Sequence, residues 1–156
     1  MLNKALEKLR RQDISFYLLF LLCILVFSAE VFFVSKVNFI ASDGAHYADL
    51  ADNILNGKGF VLDYVFQYFI KFDAVTHPEE WGFPMMGIIV APFIYLFGKT
   101  PLAVKLPSML IQTIFFPLLI YFLGAQIFDK KIGILAAVSF LFFPSLFSSG
   151  FGGQRD

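Results

Sequence analysis

Apolar residues in this chain come in long unbroken blocks divided by short polar stretches. The first block runs from Ile14 to Val37, ISFYLLFLLCILVFSAEVFFVSKV. About 20 helical residues at 1.5 Å each cross a hydrocarbon core of about 30 Å, so the block predicts a membrane span over 14–37. Val104 to Phe128 predicts a second, with Pro107 and Pro117 marking its entry or a kink. Membrane helices tolerate such prolines where neighbours satisfy the freed carbonyls. Ile132 to Ser149 is just long enough for a third. A shorter apolar stretch over 83–98, FPMMGIIVAPFIYLFG, would reach only about 24 Å. With Pro84 and Pro92 inside it, it predicts an interfacial or re-entrant helix.

The polar stretches set the topology. Residues 1–13 carry Lys4, Lys8, Arg10 and Arg11, and basic segments favour the cytoplasmic side. The loop over 38–103 then lies outside, rich in acids from Asp43 to Glu80. The turn 129–131 returns inside with Lys130 and Lys131, and 150–156 begins a second outer loop. Lys99 and Lys105 fall on the disfavoured side of this three-span scheme. A four-span scheme corrects them but moves Lys130 and Lys131 outside, so charge alone leaves both schemes open. The short, proline-bearing 83–98 stretch favours three.

Within the outer loop, DGAHYADLADNILNGKG follows helical periodicity. Tyr47, Leu50, Ala51, Ile54 and Leu55 share one face, and Asp49, Asp52, Asn53 and Asn56 the other. This predicts an amphipathic helix over about 44–57, capped by Ser42 or Asp43, ended by Gly57 and lying along the membrane surface.

Composition agrees with the pattern. Of 156 residues, 58% are hydrophobic, against roughly 45–50% in soluble domains. The net charge is zero, which gives no electrostatic reason to expect a nucleic-acid partner. Cys23 is the single cysteine, so there is no internal disulfide, and its place in an apolar run predicts a lipid-facing or packed residue. The first block exceeds a signal-peptide core of about 7–15 residues and reads as an uncleaved span. The expected fold class is therefore an all-α polytopic membrane protein: about three transmembrane helices with extracytoplasmic juxtamembrane helices.

Residues able to do chemistry are few. Asp43 follows the first span closely, at the start of the surface helix. A carboxylate just outside a bilayer can take a proton from an acceptor hydroxyl or hold a metal. Asp is also a favoured helix cap, and on spacing alone the cap reading is the weightier. His46 can meet an anionic headgroup or phosphate, and Tyr47 can anchor at the interface. His77, Glu79, Glu80 and Trp81 cluster in THPEEWGFP. A metal site is one reading of that cluster and a solvated loop the default one. Arg155 can hold a phosphate, and Asp156 adds a further carboxylate. No G-x-G-x-x-G, P-loop, G-x-S-x-G or H-E-x-x-H pattern occurs.

The order of these pieces resembles the N-terminal part of the GT-C superfamily of membrane glycosyltransferases, in particular its protein mannosyltransferase and aminoarabinose transferase branch. The resemblance rests on a D-x-x-x-Y arrangement at Asp43 to Tyr47 after one span, then the surface helix YADLADNILNGKGF. There follow Trp81-Gly-Phe-Pro84 leading to Leu96-Phe97-Gly98, AVKLPS at 103–108, YFLGAQIF at 121–128, and GILAA in the last span. It departs from the family at Gly44, where many relatives carry Glu, and at His46, where the aminoarabinose branch often carries Arg. The resemblance implies transfer of a sugar from a polyprenyl-phosphate donor to a protein or lipid acceptor at the plasma or inner membrane, on the extracytoplasmic side. It implies Asp43 and Asp156 as catalytic carboxylates, and His46, Tyr47, Glu80 and Arg155 as substrate contacts. Some relatives need a divalent metal ion and others do not; Asp43 and Asp156 would be its ligands. Relatives are several hundred residues long, so the chain is expected to be an N-terminal portion. The rival class is a non-enzymatic membrane subunit or transporter segment, which predicts a polar stripe within the spans. Only Glu30, Lys105 and Gln112 offer one.

Overall fold

The computed structural model describes residues 14–37, 40, 42–65, 73–79 and 84–143. About 75% of these residues are helical, in five helices, and they form two compact units. Two helices are long and apolar enough to cross a membrane: α1 (Ile14–Val34, 21 residues) and a 27-residue helix over Pro101–Ile127. The second is built from α4 (Pro101–Leu110), a π-helical turn (Ile111–Phe115) and α5 (Phe116–Ile127). It begins three residues before the expected Val104. Thr100 Oγ1 accepts from Ala103 N at 3.2 Å, and Pro101 takes the first helical position, where a missing N–H costs nothing.

The first unit draws on residues 14–32 and 109–143 of the described set. Helix α1 is apolar on every side and leaves Leu18, Leu21, Leu25 and Phe32 exposed, a surface suited to lipid. Its other side buries Leu19 and Cys23 against Tyr121 of α5 and Ala137 and Leu141 of α6 (Lys130–Leu141). Cys23 is thus packed against protein. Glu30 also faces protein, because Thr113 Oγ1 donates to its Oε2 at 2.6 Å. Thr113 lies in the π turn, where Phe116 N–H reaches Ile111 O. Pro117 follows directly and has no N–H to offer one turn back. The expected proline kink is here a widened turn inside an unbroken helix.

Helices α5 and α6 pack through glycines. A Cβ on Gly124 would stand 2.7 Å from Gly133 Cα, and one on Gly133 would stand 2.7 Å from Tyr121 O and 2.9 Å from Ala125 N. Small residues allow such backbone approach between membrane helices. Asp129 caps α6, accepting from Ile132 N at 2.9 Å. Of the third expected span, 132–149, the described helix reaches Leu141, and residues 144–149 lie outside the described set.

The second unit draws on the described residues of 33–108. Helix α2 (Ser42–Leu55) stops at Gly57, whose φ of +73° suits glycine. Gly57 N–H reaches Ile54 O and Lys58 N–H reaches Asn53 O, the paired bonds of a Schellman stop. The chain then forms a short antiparallel ladder absent from the all-α expectation: β1 (Val61–Leu62) pairs with β2 (His77–Pro78), Val61 opposite Pro78 and Leu62 opposite His77. Helix α3 (Met85–Phe97) has 13 residues and ends at Gly98, which agrees with the expected short helix. Pro84 stands at its N-cap, and the helix continues through Pro92.

The face of α2 differs from the amphipathic expectation. Ala48 and Ala51 pack on Val90, Ala91 and Ile94 of α3 and on Ala103 and Val104 of α4. Leu50 fills the space left by Gly87, whose Cβ would stand 2.7 Å from it. The apolar face of α2 is therefore committed to protein. Asn53, assigned to the polar side, is 1% exposed, because Asn53 Nδ2 donates to Val61 O at 3.0 Å and the ladder covers it. Leu55, assigned to the apolar side, is exposed. Asn53→Ala would strand the Val61 carbonyl, and the expected loss is about 1–3 kcal/mol, read as a lower unfolding midpoint in detergent.

Candidate active site

The described site residues all lie in the second unit. Asp43 is exposed in the first turn of α2, one residue inside the helix start. An acid there is favoured by the helix dipole, but it does not precede the helix as a cap would. His46 follows one turn later and is buried.

Both ring nitrogens of His46 are engaged. Nε2 faces Glu79 Oε2 at 2.6 Å, and Nδ1 lies 2.9 Å from the Tyr64 hydroxyl. A carboxylate only accepts, which puts a proton on Nε2. In the tautomer that carries its proton on Nε2, Nδ1 accepts from the Tyr64 O–H. Burial pushes the Tyr64 hydroxyl up to about 12, with the negative charges of Asp49, Glu79 and Asp43 adding to it. Tyr64 therefore keeps its proton at neutral pH, as a donor must. The same effect places Asp43 among the carboxylates whose field Tyr64 feels. Tyr47 sets its ring edge-on to His46, with centroids 5.7 Å apart at 86°, and packs on the core beside Ala48 and Ala51.

The segment carrying Tyr64 is pinned from several sides. Asp63 N donates to Asp49 Oδ2 at 2.8 Å. The Asp63 carboxylate accepts from Lys58 Nζ at 2.6 Å and from Thr76 Oγ1 at 2.7 Å, which holds its carboxyl below the usual range. His77 sits between two carbonyl oxygens, Pro78 O at 2.9 Å and Tyr64 O at 3.1 Å. The cluster read from THPEEW is thus divided: His77 turns to backbone carbonyls, and Glu79 turns to His46. Among the described residues no three His, Cys, Asp or Glu side chains gather as a metal site would require.

Glu80, Arg155 and Asp156 lie outside the described residues. Sequence reasoning did not single out Tyr64, nor pair Glu79 with His46. Those residues reach His46 from distant parts of the chain by way of the ladder, and no spacing rule signals that.

The family model for dolichyl-phosphate-mannose-protein mannosyltransferases matches residues 76–156, just over half of the chain. The chain belongs to this family. Membership makes it a mannosyltransferase-like glycosyltransferase associated with the membrane, and the family implies a lipid-linked sugar donor. The matched stretch contains Glu79, Lys105 and both packing glycines of the α5–α6 pair, and it begins after Asp43 and Tyr47. No curated protein and no solved structure matches the chain.

Proposed function

We infer that this protein transfers a mannose-type sugar from a polyprenyl-phosphate donor to a hydroxyl of a protein or lipid acceptor, on the extracytoplasmic face of a multi-pass membrane enzyme. The acceptor oxygen attacks the anomeric carbon. The bond from that carbon to the phosphate oxygen breaks, and the lipid phosphate leaves with the electron pair. Asp43 takes the acceptor proton. Asp156 serves as a second carboxylate, and Arg155 and Glu80 contact the donor or acceptor. His46 and Tyr64 are positioning residues that hold Glu79 and the ladder against α2, and Tyr47 packs His46 in place.

The observation that carries the reading is Asp43, an exposed carboxylate at the start of a helix whose next turn is locked by His46, Glu79 and Tyr64. An exposed carboxylate next to a turn held in place suits a base that must meet an incoming hydroxyl. Membership of a mannosyltransferase family supplies the reaction class.

Membranes containing the intact protein should move label from polyprenyl-phosphate mannose into an acceptor fraction. Label that stays entirely in the lipid would defeat the reading. For sidedness, an impermeant maleimide should reach Lys99→Cys from outside and Lys130→Cys only after permeabilisation. The reverse pattern would place the site in the cytoplasm.

A further inference from the structure

We propose that Lys105 is the cation that holds the phosphate of the lipid-linked donor, an assignment that rests on the transferase reading above. The ammonium is buried and has no hydrogen-bond partner among the described residues. Two other lysines of this unit are paired at its surface: Lys58 with Asp63 at 2.6 Å and Lys99 with Asp52 at 2.8 Å. An ammonium removed from water without a counter-charge is among the least favourable arrangements a protein can hold. It persists where an arriving anion completes the pair.

The packing brings the turn of α4 that carries Lys105 against the turn of α2 that carries Asp43. Its neighbour Val104 lies against the first turn of α2, with Cγ1 3.9 Å from the position of a Cβ on Gly44. Gly44 is the residue after Asp43. The approach of Gly44 and Val104 is thus flanked, along α2 and α4 respectively, by the proposed base and by the buried cation. A Cβ at Gly44 would run into Ile40, so the packing of Ile40 on this turn depends on glycine. An ammonium on a flexible stem acts as a point charge for phosphate. Placed here, it would stabilise the phosphate both in the bound donor and as a leaving group.

The test uses purified intact protein in a neutral detergent, with citronellyl phosphate as probe, citronellol as its uncharged control and phosphatidylglycerol as a general anionic lipid. Citronellyl phosphate should raise the melting temperature of the wild type, and citronellol should not. Lys105→Met should weaken phosphate binding roughly ten- to a hundred-fold, while its ligand-free melting temperature stays the same or rises, since a buried charge has been removed. Lys105→Arg should keep most of the affinity. Binding of the phosphate to Lys105→Met within about twofold of wild type would overturn the assignment. So would a fall in the ligand-free melting temperature of both variants, which marks a structural lysine. Equal binding and competition by phosphatidylglycerol would assign the site to bulk lipid and overturn the donor role. Asp43→Asn separates the two readings: it should bind the phosphate normally and lose transfer. Transfer retained there counts against the base, and binding retained in Lys105→Met counts against the cation alone.

Discussion

Asp43→Asn should lower sugar transfer by roughly 10²–10⁴-fold, the range a positioned general base contributes. The substitution keeps the size and shape of the side chain and removes its charge and its capacity to take a proton. Its structural cost should be small. Asp43 is exposed in the first turn of α2, where an acid adds about 0.3–1 kcal/mol through the helix dipole. Unfolding midpoints of the variant and the wild type should therefore nearly coincide while turnover collapses. Asp43→Glu should retain partial activity, since the carboxylate survives but moves by one methylene. Turnover of Asp43→Asn within about twofold of the wild type would remove Asp43 from the mechanism. A large fall in stability would show that it serves the helix instead.

The largest expected effect on stability comes from Gly133→Leu. A Cβ at this position meets Tyr121 O at 2.7 Å and Ala125 N at 2.9 Å. Both are backbone atoms of α5 and cannot rotate away. Helices α5 and α6 must then separate, exposing the core around Tyr121, Ala137 and Leu141. Overpacking of this kind costs about 1–3 kcal/mol and sometimes more, and the upper end is expected because the obstacle is main chain. Gly87→Ala is the internal comparison. Its Cβ meets Leu50 at 2.7 Å, a side chain that can change rotamer, so its loss should be visibly smaller. Thermal unfolding in detergent, followed by circular dichroism, measures both. If Gly133→Leu melted no lower than Gly87→Ala, glycine would not be what closes the α5–α6 pair.

The elements legible in the sequence are those fixed by local rules. Block length gives α1 and the Pro101–Ile127 helix, because crossing a hydrocarbon core demands a minimum run of apolar residues. Gly57 announces the end of α2 through its backbone freedom. The turn read over 129–131 instead opens α6 at Lys130, because Asp129 caps it by accepting from Ile132 N. The failures share one cause, which is tertiary covering that periodicity cannot see. Asn53 looks like a solvated residue until the ladder folds over it. The apolar face of α2 looks made for lipid until α3 and α4 claim it. At the site, Asp43 and Tyr47 stand out by their spacing. Tyr64 and Glu79 matter only because pairing of β1 with β2 carries them to His46.

The π turn over Ile111–Phe115 bears on how the long helix relates to shorter versions of itself. A π turn accommodates one residue more than the α-helical turn it replaces. A chain lacking a single residue between 111 and 115 would close into plain α-helix there, with Tyr121 and Gly124 in unchanged rotational phase. Length variation by one position is therefore neutral at this point of the helix, whereas a deletion within α5 would swing every later side chain by about 100°.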